Sequence, residues 1–314
     1  VEMSKLSVIC LNSRKKKFIK ELMDLGVVEI SKPMSGSEEN VIPEGTFLAN
    51  NSAEVSHLDA QIAAYGAAID ILDSYYDGKK SLFNTRKEVT EEDFIRNVEQ
   101  NESYVKEIAE KISVLQKKIN DNKAEINRLS ILIKGLEPWR DFDLPLENTG
   151  TKTSTIFTGV VPIKTNTDNL LNAVLEEAPS AVIQKVSSDK IQNYLCFICL
   201  KEEKPKVLET LRQFSFTSVV LNDNSGTAAE AISKYEKTTA RLNEEIELSV
   251  SELKELSKDI EKIEYIYDDL LIKRDRAKAV GDFINTKKVF CFDGWLPVDS
   301  IEKVKQVLDK NECY

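Results

Sequence analysis

The sequence has few of the features that membrane-spanning and secreted proteins need. Along its 314 residues, no segment approaches the roughly 18 to 20 consecutive apolar residues of a membrane-spanning helix. Its first residues also lack the pattern of a signal peptide. We therefore expect this part of the protein to be soluble.

Residue types that support catalysis are equally scarce. The only histidine, His57, directly precedes the apolar seam residue Leu58 of a predicted helix, which favours a surface position over a catalytic base. The sequence contains neither a P-loop nor a dinucleotide-binding glycine fingerprint. Its acidic residues are spread along predicted helix exteriors. We therefore expect no enzymatic activity, no cofactor and no metal site.

The five cysteines are Cys10, Cys196, Cys199, Cys291 and Cys313. Most of them lie in apolar, strand-like runs, which favours buried free thiols in a reducing compartment. Cys196 and Cys199 have the C-x-x-C spacing of redox sites and of half a zinc site. Residues three apart in a strand point to opposite faces, however, and no second pair completes a metal site. We interpret both cysteines as structural.

The charge balance argues against nucleic acid as a partner. The net charge is −10, whereas phosphate binding needs clustered cations. One basic run, from Arg14 to Lys17, is the exception. It opens a predicted helix, and we interpret it as a solvated helix face, with an anion or lipid site as the alternative.

The sequence is rich in an apolar repeat with alternating steps of three and four residues. This period keeps one apolar seam facing a partner helix, and charged residues fill the positions between, as a solvated outer face requires. The predicted seam consists of Val105, Ile108, Ile112, Leu115, Ile119, Ile126 and Leu129 in an outgoing arm and of Leu242, Ile246, Leu253, Leu256, Ile260 and Ile263 in a returning arm. An earlier helix, from Val55 to Tyr76, has the same repeat.

We predict that the two arms pair with each other as an antiparallel coiled-coil hairpin. If Leu136 lies opposite Tyr235, polar Asn122 lies near polar Ser249, so that neither is left unpaired in the seam. The returning helix, predicted from 229 to 285, would be about 85 Å long at 1.5 Å per residue. An interruption from 77 to 90 in the first arm is interpreted as a loop, with a hinge, a packed helical turn or an insertion as alternatives.

Residues 149–225, between the arms, form a separate predicted lobe. The pattern changes there to strands over 153–161, 181–187, 193–200 and 216–221 and helices over 167–177 and 205–214. This βαββαβ order predicts a ferredoxin-like lobe. Such sheets also host small-molecule regulatory sites, so ligand sensing remains an alternative role.

The two ends of the sequence are predicted to build a second lobe together. Residues 1–50 contain a strand, a helix stopped by Gly26 and another strand, and residues 287–314 add a strand and a helix that begins at Asp299. The predicted fold class is therefore α+β, with two small α/β lobes joined by coiled-coil arms over 51–148 and 226–286. Cys313 and Tyr314 have the pattern of a strand that continues, so we expect a fragment of a longer protein.

Four motifs mark the transitions between these parts. They are the strand 5–9 with the segment 25–30, the segment 137–146, the strand 157–162, and the segment 292–297. The residues expected to form the lobe junctions are Pro138, Trp139, Gly294, Trp295 and Pro297, because proline ends a helix and an indole can wedge into a junction. We predict that Gly294, Trp295 and Pro297 end the final strand.

In this order, and flanking two coiled-coil arms, the motifs resemble the cytoplasmic N-terminal half of subunit I of V-type and A-type rotary ATPases, the prokaryotic counterpart of eukaryotic subunit a. The resemblance covers essentially the whole chain. It implies a non-catalytic stator element on the cytoplasmic face of the membrane, within a multi-pass membrane protein. Implied partners are the peripheral-stalk heterodimer of E and G type subunits at both lobes, the membrane-embedded half of the same subunit, and the rotor ring.

Two other classes of protein share some of these features. A coiled-coil scaffold or tether would have the hairpin, but it should carry a nucleotide-binding head or a basic terminal lobe. A ligand-regulated module with a ferredoxin-like sensor would need a catalytic constellation. The sequence shows none of these, and it leaves open whether the implied complex moves H⁺ or Na⁺ and whether it acts as synthase or pump.

Overall fold

Long helices and two small antiparallel β-sheets make up the structure, a computed structural model that describes residues 1–31, 45–48, 51–78, 88–221, 225–281 and 283–314. The strands are β1 Met3–Leu11, β2 Glu29–Ser31, β3 Phe47–Leu48, β4 Ser154–Pro162, β5 Val182–Ser188, β6 Gln192–Leu200, β7 Thr217–Val219, β8 Ile284–Asn285 and β9 Val289–Pro297. The helices are α1 Lys15–Leu25, α2 Ser52–Tyr75, α3 Glu91–Leu136, α4 Thr167–Glu177, α5 Lys204–Gln213, α6 Ala228–Leu256, α7 Ile260–Gly281 and α8 Ile301–Lys310. The prediction of mixed helix and sheet is confirmed.

The chain divides into two compact units. The first, unit 1, comprises residues 1–114 and 252–314, and the second, unit 2, comprises residues 115–251. Helix α3 begins in unit 1 and ends in unit 2, and α6 returns from unit 2 to unit 1.

Strand β9 is the centre of the unit 1 sheet. It pairs antiparallel with β1 along nine residues on one side, and with the short strands β2 and β8 on the other. Because β9 and β1 come from opposite ends of the sequence, this pairing closes the unit. Strand β3 extends the sheet beyond β8.

Helices α1 and α8 cover one face of this sheet. Alternate residues of β9 are buried against them, including Phe290 and Phe292, as expected for a sheet with one face on the core. Phe18 of α1 is fully buried among these rings, and Phe283 stacks on Phe292 with ring centroids 4.6 Å apart. Helix α1 ends at Gly26, whose φ of 61° is left-handed, so the predicted glycine stop is confirmed.

The sheet of unit 2 has the antiparallel strand order β5-β6-β4-β7. Helices α4 and α5 pack on one face, and the ends of α3 and α6 pack on the other. Asn166 caps α4, since its side chain accepts hydrogen bonds from the amides of Asp168 and Asn169. The predicted order of strands and helices between the arms is therefore confirmed.

The structure corrects part of the cysteine prediction. Cys196 and Cys199 are free, and they lie in separate buried clusters on the two faces of the unit 2 sheet, as predicted. Cys10 and Cys313, however, are joined by a disulfide in unit 1, so the expectation of free thiols was wrong for them. Pairing between residues 303 positions apart depends on tertiary structure, which local apolar patterns do not report.

The returning arm is not the single helix that was predicted. A short 3₁₀ turn, Ser257–Asp259, separates α6 from α7, and α7 ends at Gly281. Ser257 is buried, and its hydroxyl donates to the carbonyl of Lys254 at 2.8 Å. This bond to the preceding turn satisfies the buried hydroxyl at the break.

The interruption predicted in the first arm falls between α2 and α3. Helix α2 ends at Tyr75 and α3 begins at Glu91, so the helix is interrupted as predicted. Residues 79–87 lie outside the described residues. The choice among loop, hinge, packed turn and insertion therefore stays a prediction.

Candidate functional site in the helical arms and their junctions

The predicted seam residues differ in how deeply the structure buries them. Those that are buried are Val105, Ile108, Ile112, Leu115, Ile119 and Leu129 in α3 and Leu242, Leu253 and Ile263 in the returning arm. Four others, Ile126, Ile246, Leu256 and Ile260, are only half-buried. Burial at steps of three and four residues gives α3 one apolar face along its length.

Polar contacts join the two arms within unit 2. The ammonium nitrogen of Lys118 lies 3.4 Å from Glu245 Oε2, and the side-chain amide of Asn122 donates to the same oxygen at 3.4 Å. Glu245 also pairs with Arg241 of its own helix, 2.6 Å away. Hydrogen bonds from Asn122 and Lys118 lower the pKa of Glu245. This carboxylate thus joins polar side chains of both arms in this unit.

The predicted register of the arms is wrong by about one helical turn. Asn122 contacts Glu245 instead of Ser249, and Ser249 donates its hydroxyl to the carbonyl of Glu245, 2.9 Å away. At the end of the arms, Leu136 shares a buried cluster with Ile232 as well as with Tyr235. The prediction assumed that two polar seam residues must satisfy each other. A serine can instead bond to its own backbone.

In unit 1, three helices lie together instead of two. Helix α2 packs along α7 and reaches the 3₁₀ turn, and Asp77, just beyond α2, forms a 2.8 Å ion pair with Lys254. Helix α3 contacts the same returning arm, since Phe94 and Tyr265 make an edge-on ring contact at 6.0 Å. After the turn, Ile266 is buried in addition to the predicted seam residue Ile263. The 3₁₀ turn therefore marks the start of the three-helix part of unit 1.

A small polar cluster links α3 to this turn. The hydroxyl of Tyr104 donates to Asp259 Oδ2, and the ammonium of Lys262 lies 2.8 Å from Asp259 Oδ1 and 5.0 Å from the centre of the Tyr104 ring. The hydrogen bond to Asp259 raises the pKa of Tyr104 to about 12. Burial raises the pKa of Asp259, but the bonds from Lys262 and Tyr104 outweigh it and leave this pKa lowered. The apolar repeat does not reveal this cluster, because its members flank the seam.

The first predicted junction lies inside unit 2. Pro138 and Trp139 form a 3₁₀ turn at the end of α3. Trp139 is 1% exposed and makes edge-on contacts with Tyr194 at 5.4 Å and Phe142 at 6.3 Å. The hydroxyl of Ser187, in β5, donates to the carbonyl of Pro138 at 2.5 Å. These contacts anchor the end of α3 to the sheet.

The second predicted junction differs from the expectation. Gly294 and Trp295 lie inside β9, which continues to Pro297, so they do not end the strand. Gly294 faces the core where a β-carbon would lie 2.7 Å from the carbonyl oxygen of Glu29, so β2 can approach only a glycine. Trp295 is on the opposite face and is 41% exposed. The glycine therefore serves close strand pairing, not termination.

Other kinds of site are missing from the part of the chain that the structure describes. No group of three or more histidine, cysteine or acidic residues there could hold a metal ion. No helix among the described residues is both long and apolar enough to cross a membrane. The candidate functional features of the described residues are thus the helical arms and their junctions with the sheets.

The chain thus consists of two α+β units, each with one antiparallel sheet. Among solved structures, the chain matches "Crystal structure of the cytoplasmic N-terminal domain of subunit I, homolog of subunit a, of V-ATPase" with a TM-score of 0.53 and 16% identity. That match covers 99% of this chain and 98% of the other, and it shows a shared fold.

Comparison with curated proteins finds relatives along nearly the whole chain. The chain is 24% identical over 99% of its length to A-type ATP synthase subunit I of Methanocaldococcus jannaschii, and 20% identical over 98% to the subunit of that name from Methanothermobacter thermautotrophicus. No family model matches. The chain is therefore homologous to A-type ATP synthase subunit I, and it spans about half the length of these relatives, 47% and 49%.

Proposed function

We propose that this chain is a non-catalytic stator element of an A-type or V-type rotary ATPase, which links peripheral stalks to the membrane part and resists rotor torque. The observation that carries the proposal is the similarity to A-type ATP synthase subunit I along 99% of the chain. In this role the chain lies on the cytoplasmic side of the membrane and belongs to a longer membrane protein.

The construction of the arms supports a mechanical role. A stator must stay stiff under a sideways load, and paired helices with an apolar seam resist bending better than a single helix. An ion pair at Glu245 in unit 2 and a hydrogen bond at Asp259 in unit 1 join the arms beside the seam. The third helix, α2, thickens unit 1 next to the 3₁₀ turn. Each feature opposes sliding of one helix along another.

The sheets supply surfaces for partners under this proposal. We assign a ferredoxin-like topology to residues 149–225, supported by the strand order β5-β6-β4-β7 with two helices on one face. We assign residues 1–50 and 287–314 to a proximal lobe, supported by the pairing of β1 with β9. Each lobe would hold one stalk heterodimer of E and G type subunits.

Exposed residues suggest where each stalk would dock. In unit 2, Val182 on edge strand β5 and Val220 just after edge strand β7 are 57% and 72% exposed. In unit 1, Lys16 and Lys17 are exposed on α1. Unpaired edge strands and exposed apolar residues both favour protein contacts.

Calorimetric titration of the chain with the purified stalk heterodimer tests the proposal. We expect two heterodimers to bind per chain. The pair Val182→Lys and Val220→Lys should remove the site on unit 2, because lysine on an edge strand opposes further pairing. The pair Lys16→Glu and Lys17→Glu should weaken the site on unit 1. Each double variant should therefore impair one site and leave the affinity of the other site unchanged.

A matched control comes from the arms. Ile131 is 72% exposed on α3, so Ile131→Lys changes an exposed apolar residue outside both lobes and should leave both sites intact. Absence of binding by the unaltered chain would contradict the stator assignment itself. Loss of both sites in every variant, the control included, would point to general misfolding and would contradict independent docking at the two lobes.

A further inference from the structure

The pair Cys10 and Cys313 has a geometry that a strand pairing imposes. The amide of Ile9 donates to the carbonyl of Tyr314 at 2.7 Å, and the amide of Tyr314 donates to the carbonyl of Ile9 at 2.9 Å. Residues that exchange both bonds form a hydrogen-bonded antiparallel pair, and the next pair is the close, non-hydrogen-bonded one. Cys10 and Cys313 occupy that close pair, with Cα atoms 4.5 Å apart, within the range for disulfides.

The chain between α8 and this pairing is held in a specific shape. Glu312 adopts a φ of 52°, a left-handed conformation that a side chain disfavours. The amide of Cys313 donates to the carbonyl of Leu308 at 2.9 Å, which closes the end of α8. This reversal brings Cys313 back to β1, where both sulfur atoms are buried in the core of unit 1.

Side-chain contacts fasten the same segment to α1. Glu21 accepts a hydrogen bond from the side-chain amide of Asn311 at 2.8 Å and lies 2.9 Å from the ammonium of Lys310. Arg14 forms a 2.7 Å ion pair with Glu312. Contacts among α1, α8 and β1 therefore position the two cysteines next to each other.

We propose that Cys10 and Cys313 are a thiol–disulfide switch site, which takes a small-molecule disulfide as oxidant and fastens residues 311–314 covalently to β1. The proposal does not depend on the stator assignment. In the reduced state, the two backbone hydrogen bonds and the contacts with α1 hold the segment alone. Oxidation adds a covalent attachment, which lasts until a thiol reduces the disulfide.

The reaction is an exchange of sulfur–sulfur bonds in two steps. Local opening of residues 311–314 first exposes Cys313, and its thiolate attacks a disulfide RSSR. The reagent bond breaks, one RS⁻ leaves, and a bond joins Cys313 to the other sulfur. When the segment closes, the Cys10 thiolate attacks Cys313 Sγ, forms the protein disulfide and releases the second RS⁻. The two thiol protons go to the two RS⁻, so the protein loses two electrons and the reagent gains them.

The test counts thiols in the full chain after treatment with oxidised glutathione or with dithiothreitol. Alkylation under denaturing conditions, read by intact mass, should modify three cysteines in the oxidised chain, the number that is free in the structure, and all five in the reduced chain. Peptide mapping should recover the linked pair. Hydrogen exchange over residues 311–314 should be slower in the oxidised chain.

Variants separate this site from the other cysteines. Cys10→Ser should stop the loss of two thiols and leave a glutathione adduct on Cys313, whereas the control Cys291→Ser should still lose two. Five alkylated cysteines after oxidation, a link to any other cysteine, or adducts without a link in the unaltered chain would each overturn the proposal. Equal exchange over residues 311–314 in both states would also overturn it.

Discussion

The two tryptophans offer the sharpest test of how the end of α3 is held. Both were predicted as junction residues, yet Trp139 is 1% exposed and Trp295 is 41% exposed. Trp139→Ala would leave a large cavity between α3 and the unit 2 sheet, and replacing a buried aromatic residue with alanine costs about 3–5 kcal/mol. Its edge-on contacts with Tyr194 and Phe142 are part of that loss.

The matched variant Trp295→Ala removes the same side chain from an exposed sheet face. We expect it to cost less than about 1 kcal/mol, as for most surface substitutions. Because the chain has two units, a single unfolding transition cannot be assumed. Hydrogen exchange of the β6 amides reports on unit 2 directly, and a loss of 3 kcal/mol should speed their exchange by more than about a hundredfold.

Two outcomes of this comparison of tryptophan variants would refute the prediction. Equal stability of Trp139→Ala and Trp295→Ala would refute the claim that Trp139 anchors the end of α3. So would faster exchange in unit 1 but not in β6 after Trp139→Ala. Circular dichroism of both variants would show whether the helices and sheets are retained.

Three further predictions concern the arms and the base of unit 1. The phenol of Tyr104 should titrate near pH 12, as measured by phenolate absorbance. Asp259→Asn should lower that pKa because the charged hydrogen-bond acceptor is lost. The pKa of Glu21 is lowered, and its hydrogen bond with Asn311 is the largest cause. The carboxylate therefore stabilises the folded chain above the usual glutamate pKa, and this stabilisation is lost as the pH falls through the lowered pKa. Glu21→Gln should thus lower the free energy of unfolding at neutral pH but not in strong acid. Ile112→Ala should cost about 2–5 kcal/mol because the side chain is fully buried, as measured by urea unfolding.

A Tyr104 pKa unchanged by Asp259→Asn would show that the hydrogen bond does not set it. A difference between Glu21→Gln and the unaltered chain that grows in acid would reverse the expected sign. For the seam, Val114→Ala is the control, since Val114 is 66% exposed on the same helix, and an equal cost for both variants would contradict a one-sided seam.

Local patterns predicted most of the elements in this chain. The strands and helices between the arms follow the predicted order because their alternation changes from period 2 to period 3.6 at each boundary. Gly26 and Asn166 end and begin helices as their conformational preferences require. The opposite faces of Cys196 and Cys199 followed from strand geometry alone.

The features that the sequence did not reveal depend on long-range packing. The seam prediction continued through Leu256 and Ile260, but these two residues are only half-buried next to the 3₁₀ turn, after which α2 also packs against α7. A repeat in one helix does not state how many helices surround it. The bond between Cys10 and Cys313 likewise arises where two distant segments meet.

Covalent capture in the working complex tests the stator assignment most directly. A photo-crosslinking amino acid at Val182, in the assembled rotary ATPase, should link this chain to a peripheral-stalk subunit with equal yield at rest and during ATP hydrolysis. The linked complex should keep its ATPase activity, because two stationary parts have been joined. Linkage to a rotor subunit, or a loss of activity that tracks the yield of the stalk link, would contradict the account.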